Sequence, residues 1–166
     1  ITGESREHCI VIGGLNMMGG KKDDVNVSNL TLRDSKYFGV WGNNGASFHL
    51  DNVSVENSEM CGVSVFGTKR STMKNCNVSH SKRSGLVVNG GGLMTIDGSG
   101  TTIHNNCNNG NSWNYGLNAF DSPDSIHLAS SLTIEMISKN NGGAGNHGGQ
   151  GTIKSVDKYG KVLEVV

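Results

Sequence analysis

Residues 29–51, 52–74 and 75–97 form three consecutive blocks of 23 residues that align without a gap. They read NLTLRDSKYFGVWGNNGASFHLD, NVSVENSEMCGVSVFGTKRSTMK and NCNVSHSKRSGLVVNGGGLMTID. The first column is Asn29, Asn52, Asn75, the seventh Ser35, Ser58, Ser81, and the eleventh Gly39, Gly62, Gly85. Apolar residues recur two apart, as Leu30 and Leu32, Val53 and Val55, Cys76 and Val78, and then Val63 and Val65 or Leu86 and Val88. A third set is Phe48 with Leu50, Ser71 with Met73, and Met94 with Ile96. Period two is the signature of a strand, and the Gly, Asn and Ser residues between the sets mark corners. A block of three short strands is too short for a propeller blade and has the wrong period for a helical solenoid. The pattern therefore predicts an all-β parallel solenoid. Coils about 4.8 Å apart pair each strand with its copies above and below, and the inward residues merge into one core.

The pattern extends beyond the blocks. Val25 and Val27 match the third strand of an earlier coil, and Ile10 and Ile12 suggest another strand before it. Downstream, Ile103 continues the first strand after a two-residue insertion, Leu117 and Ala119 the second, and Ile126 and Leu128 the third. Residues 1–166 are expected to form one domain with regular coils over 25–128. The stretch CNNGNSWNY, after Asn106, is a projecting loop. Residues 138–151 are expected to be an irregular, mobile Gly/Asn-rich segment. The tail TIKSVDKYGKVLEVV reads either as a closing coil or as a terminal hairpin.

Composition narrows the function. Fourteen basic side chains against fourteen acidic ones leave no net charge, so neither nucleic acid nor an anionic membrane is an expected partner. No apolar run approaches the roughly 18 to 20 residues of a membrane span, and ITGESREHC has no signal-peptide pattern, so a soluble protein is expected. The chain does not begin with Met, so a fragment of a longer protein is one expectation. Cys9, Cys61, Cys76 and Cys107 lack paired spacing and His partners, so buried or incidental thiols are expected, with no metal and no cofactor.

Asn29, Asn52 and Asn75 are expected to form an amide ladder at one corner, with Ser35, Ser58 and Ser81 in a structural role at another. Gly39, Gly62 and Gly85 mark corners needing either positive φ or a close backbone approach. The unit NVSVENSEMCGVSVFG, with its Asn column, three strand pairs and Gly corners, resembles right-handed parallel β-helix proteins of the pectin-lyase-like superfamily over residues 25–128. It is also similar to repeats of uncharacterised algal and large-virus proteins. The resemblance implies a right-handed parallel β-helix and a leaning towards carbohydrate. It implies no mechanism, because the superfamily spans lyases, hydrolases, epimerases, tailspikes and modules without catalysis. The NTD, RIK and DPH strings of its enzymes do not occur in this chain.

In register, Asp51, Lys74 and Asp97 stack one above another, reading either as a polyuronate-processing site or as a surface salt ladder. His49 and His127 share another outward column, and Arg33, Glu56, Ser79 and His104 a third. Trp41, Phe66 and Phe120 fall at outward positions of the second strand, where they either stack on sugar or pack against another subunit. Trp113 and Tyr115 make the inserted loop a binding candidate, unless Trp113 folds back as a plug. The expected function is a non-catalytic carbohydrate-binding or structural module, with polysaccharide or a second copy of the chain as partner. The alternatives are a polyuronate lyase, hydrolase or epimerase, and an oligomeric fibre or spike segment of a virus-like particle; an extracellular or virion-surface location is one expectation.

Overall fold

The computed structural model describes residues 1–19, 24–68, 70–121, 123 and 125–166. The chain winds through six coils, each contributing one strand to a six-stranded parallel sheet that forms the second face. Along this face run Leu15–Met18, Val40–Asn43, Val63–Phe66, Leu86–Asn89, Leu117–Ala119 and His147–Gly149. The first and third faces belong to one eleven-stranded sheet, because the strands Asp24–Arg33 and Ser47–Glu56 each run through both. Register follows the repeat: Val55 pairs with Leu32 and Val78, Val63 with Val40 and Leu86, and Met73 with Leu50 and Ile96. The expected two-residue insertion is seen as Ile103 opposite Val78.

The long strands bend at Asn29 and Asn52, whose φ is 55° in both, and Asn75 follows at 50°. Asn tolerates this left-handed region better than other residues with a side chain, so one residue suffices to turn the corner. Asn52 Nδ2 donates to Asn29 Oδ1 at 2.9 Å, as a ladder requires. The ladder changes at Asn75, whose Oδ1 accepts from the Gly100 amide at 3.3 Å, within the inserted residues of the next coil.

A second left-handed column, Asp34, Asn57, His80, Asn105 and Asn140, turns the chain just before the Ser column. Gly39, Gly62 and Gly85 do not have positive φ; they are glycines because the coils nearly touch there. A Cβ on Gly39 would lie 2.2 Å from Val55 Cγ1, and one on Gly62 2.3 Å from Val78 Cγ1.

The core runs the length of the solenoid, with Leu32, Val55, Val78 and Ile103 stacked from the first face against Leu50, Met73, Ile96 and Leu128 from the third. Volumes compensate between faces: the Phe48 ring fits because Gly42 stands opposite it, where a Cβ would approach the ring to 2.7 Å.

Residues 138–151, expected to be mobile, instead build most of the sixth coil. Ser138–Lys139 pairs with the first face and His147–Gly149 with the second. Asn141 stitches the corner between them, donating from Nδ2 to Ile103 O at 3.0 Å, while its backbone amide donates to Asn146 Oδ1 at 3.1 Å. Glycine and asparagine supply corners here as they do upstream. The tail combines both expected forms, since Thr152–Val156 adds a parallel strand to the third face and Val162–Val165 folds back antiparallel onto it. No helix of the described residues is long and apolar enough to cross a membrane.

Candidate functional site

The corner between the first and second faces repeats its backbone bonds from coil to coil, with the Glu59 amide donating to Ser35 O and the Lys82 amide to Ser58 O, both at 2.9 Å, and it carries two sizeable clefts. In the second coil Ser35 Oγ donates to Phe38 O at 2.7 Å and accepts from the Tyr37 amide at 3.3 Å. This tight turn leaves Tyr37 73% exposed. Phe38 turns toward Trp41, their ring centroids 5.2 Å apart and tilted by 32°. The three rings, with Ile12 and Leu15 of the first coil, bound a cleft of about 610 Å3 that also has Asn16, Asp34 and Lys36 in its lining. A second cleft, also of about 610 Å3, is lined by Asn57, Glu59, His80, Lys82 and Asn108 along the same corner, and again by Asp34 and Lys36. The clefts adjoin at these two residues and form a trough along the solenoid axis.

Charges in the trough are opposed in sign. Lys82 is ion-paired with Glu59 and holds its carboxyl below the usual carboxylate range. Asn57 Nδ2 donates to Asp34 Oδ1 at 3.2 Å. At the far end Asn108 stands at the foot of the inserted loop, which is fastened by backbone bonds from Cys107 to Arg83 and from Asn109 to Lys82. Asn118, 2% exposed, donates to the Trp113 carbonyl at 3.0 Å, and the Trp113 amide donates to Asn111 Oδ1 at 2.9 Å. The loop backbone is thus fixed with the Trp113 ring 73% exposed, so Trp113 is not a plug. Tyr115 does the packing instead, lying half-buried against Gly148, where a Cβ would come within 2.3 Å of its ring.

The outer side of the first face carries a connected polar network. Arg33 binds Glu56 Oε2 through both Nε and Nη2 at 2.9 Å, and Ser54 donates to Glu56 Oε1 at 2.8 Å. Asn77 donates to Ser54 at 2.9 Å, and its Oδ1 accepts from Thr102 at 3.0 Å and His104 Nε2 at 2.9 Å. Asn105 Nδ2 donates to His104 Nδ1 at 3.0 Å, so the pattern is satisfied by a neutral ring protonated on Nε2. Both carboxylate oxygens of Glu56 and both ring nitrogens of His104 are engaged, which suits the network to surface order more than to proton transfer.

A family model described as the right handed beta helix region matches residues 9–154. The chain belongs to the right-handed β-helix family. Searches of curated proteins and of solved structures gave no match.

Within this right-handed β-helix, Asp51, Lys74 and Asp97 do stack in register on the third face. They are exposed, form no ion pair with one another, and lie outside the trough. Asp97 instead turns its Oδ1 to the Gly98 amide at 2.7 Å. The structure therefore stacks this column without pairing its charges as a salt ladder. Trp41 lies in the trough. Phe66 and Phe120 occupy a separate outward column with Asn89 between them, and the Phe66 ring lies over Gly90. His49 bonds Thr72 through Nδ1 at 2.9 Å and has Asp24 3.6 Å from Nε2; His127 is on the same face farther along. Among the described residues no three His, Cys, Asp or Glu side chains are grouped to hold a metal. Burial pushes the Cys61 thiol up to about 12 and those of Cys76 and Cys107 to about 11, so these three sulfurs are inert at neutral pH.

Tyr37 and Phe38 were not anticipated as site residues because corner positions escape the period-two pattern. The signal available was local: KYFGVW gathers three of the chain's few aromatics into one short run.

The His104 network makes stability pH-dependent. Burial, and secondly His80, hold the His104 pKa below the ordinary histidine value; burial and Lys154 do the same for His127. As pH falls below about 6.5 the unfolded chain takes up these protons before the folded one. The contribution is therefore complete above that value and is lost as pH falls through the window down to the folded pKa values. Urea midpoints are expected to fall between pH 7 and pH 5, and His104→Gln to flatten that slope. A slope unchanged in the variant would remove His104 from this role.

Proposed function

We propose that the protein is a polysaccharide-binding module that holds its ligand in the trough and does not cleave it. One observation carries the reading: Tyr37, Phe38 and Trp41 line a concave surface whose remaining groups include an amide, a carboxylate and an ammonium. Flat rings cover the apolar C–H faces of sugars, and neighbouring polar groups bond the hydroxyls, the usual division of labour in a small-ligand site. The non-catalytic part rests on the positions of the acid and base candidates: Asp51, Lys74 and Asp97 are away from the trough, and Glu56 and His104 already have each side-chain oxygen or ring nitrogen engaged by a neighbour.

The test is retention of the purified protein on a panel of immobilised neutral and acidic polysaccharides, with soluble sugar ends monitored in parallel. Retention without new ends is expected. Trp41→Ala and Tyr37→Ala should each weaken binding about tenfold, equivalent to about 1.4 kcal/mol, with unchanged thermal melts for the exposed Tyr37 variant. New reducing or unsaturated ends would replace this reading with an enzyme. Absence of retention, together with a solution mass above the 17.5 kDa chain, would replace it with assembly. The exposed apolar strands Ile10–Ile12 and Val162–Val165, at opposite ends of the solenoid, are what favour that second reading.

A further inference from the structure

We infer that the ligand is an extended, uncharged glycan chain lying along the solenoid axis, in contrast to the polyuronates that the fold by itself would suggest. This inference rests on the proposed binding role of the trough and concerns the chemistry of what fills it.

The first argument is charge. Across three coils the trough presents Asp34 and Glu59 against Lys36 and Lys82, with Arg83 on the same corner but outside the lining. Glu59 and Lys82 are paired to each other, and Asp34 accepts from Asn57. A polyanion carrying a carboxylate on every sugar would meet Asp34 and Glu59 as often as the lysines. A surface that selects a polyanion carries a run of one sign, which steers the partner and makes binding fall with salt. This trough has no such run. Its paired charges and amides offer both donors and acceptors, which is what hydroxyl groups need.

The second argument is shape. Equivalent corner positions repeat in register, so a polar side chain of one kind or another recurs about every 4.8 Å from the coil of Tyr37 to the coil of Asn108, a span of about 14 Å. A ligand matching that geometry is linear and several sugar rings long, one end stacked on Tyr37 and Trp41 and the other reaching the foot of the Trp113 loop. Single sugars would fill only the aromatic end.

The experiment measures affinity by tryptophan fluorescence, which reports both ends because Trp41 and Trp113 are the chain's two tryptophans. The probes are neutral gluco- and manno-oligosaccharides from one ring upward and oligogalacturonates of equal lengths, at about 0.05 M and about 0.5 M salt. At least one neutral series is expected to bind, with affinity rising over the first few rings and changing less than twofold with salt. Asp34→Asn combined with Glu59→Gln removes both carboxylates and should raise oligogalacturonate affinity at least tenfold at low salt. Salt-sensitive preference of the unaltered protein for oligogalacturonate would overturn this inference and leave the trough a glycan site. Failure of both series would overturn the binding role itself. Neutral binding that does not strengthen beyond one ring would overturn the axial placement.

Discussion

Replacing Asn106 by Ala should destabilise the fold by about 3 to 5 kcal/mol, because two buried backbone groups would each lose a partner at about 1 to 3 kcal/mol apiece, with a small cavity added. Asn106 is fully buried. Its Oδ1 accepts from the Ser81 amide at 3.0 Å, and its Nδ2 donates at 3.0 Å to Val78 O and to Asn141 Oδ1. The position is that of Ser35, Ser58 and Ser81 in the coils before. There the hydroxyl sits in the corner, and Ser58 and Ser81 find no hydrogen-bond partner for it. From Asn106 onward the corner carries loops of different length, and a longer side chain is needed to reach the carbonyl of the coil before. Asn106→Ser, although it restores the repeat, should therefore recover little. The measurement is a urea titration with a thermal melt, in which a loss of this size lowers the midpoint by roughly 10 °C. A melt unchanged in Asn106→Ala would mean that water replaces the amide and that the inner Asn pair is dispensable.

The parts of the fold legible in the sequence are those in which local pattern and stacking coincide. In a parallel solenoid the residue above is simply the residue one repeat away, so the 23-residue period carried register, strand directions and core columns together. Corners were less legible because several physical demands select the same residue types. The Asn29, Asn52, Asn75 column was visible, yet its backbone role in holding φ near 55° was not separable from its ladder role. Asp34, Asn57, His80 and Asn105 share that backbone demand without sharing a residue type, so no column stood out. Residues 138–151 have the composition of a linker, and only their bonds to the coil before show them to be corners. For the site, Trp41 was legible through strand alternation. The trough was not, since it depends on how Tyr37 leaves the turn that Ser35 closes, and on Asn108 lying within reach of Lys82 after an insertion with no counterpart in the repeat.

Gly62→Ala isolates one of those corner demands, and it should cost about 3 kcal/mol. The added Cβ would fall 2.3 Å from Val78 Cγ1, 2.8 Å from the Gly85 carbonyl oxygen and 2.9 Å from Ser81 Oγ. None of these can withdraw cheaply. Val78 is a fully buried core residue, and the Gly85 carbonyl accepts from the Val63 amide at 2.8 Å. Relief requires the third and fourth coils to separate at this corner, which stretches that ladder bond and the one from Gly62 to Ser84 O at 3.0 Å. Gly110→Ala is the matched comparison: Gly110 has φ of 68° and open space around it, so Ala there meets only the backbone penalty of about 1 to 2 kcal/mol. Adding Val78→Ala to Gly62→Ala removes the nearest contact but not the carbonyl. The double variant should therefore be less destabilised than the sum of the singles, with a coupling of about 1 kcal/mol. If Gly62→Ala loses no more than Gly110→Ala, and the coupling with Val78 vanishes, the coils do not approach as closely there as the glycine column implies.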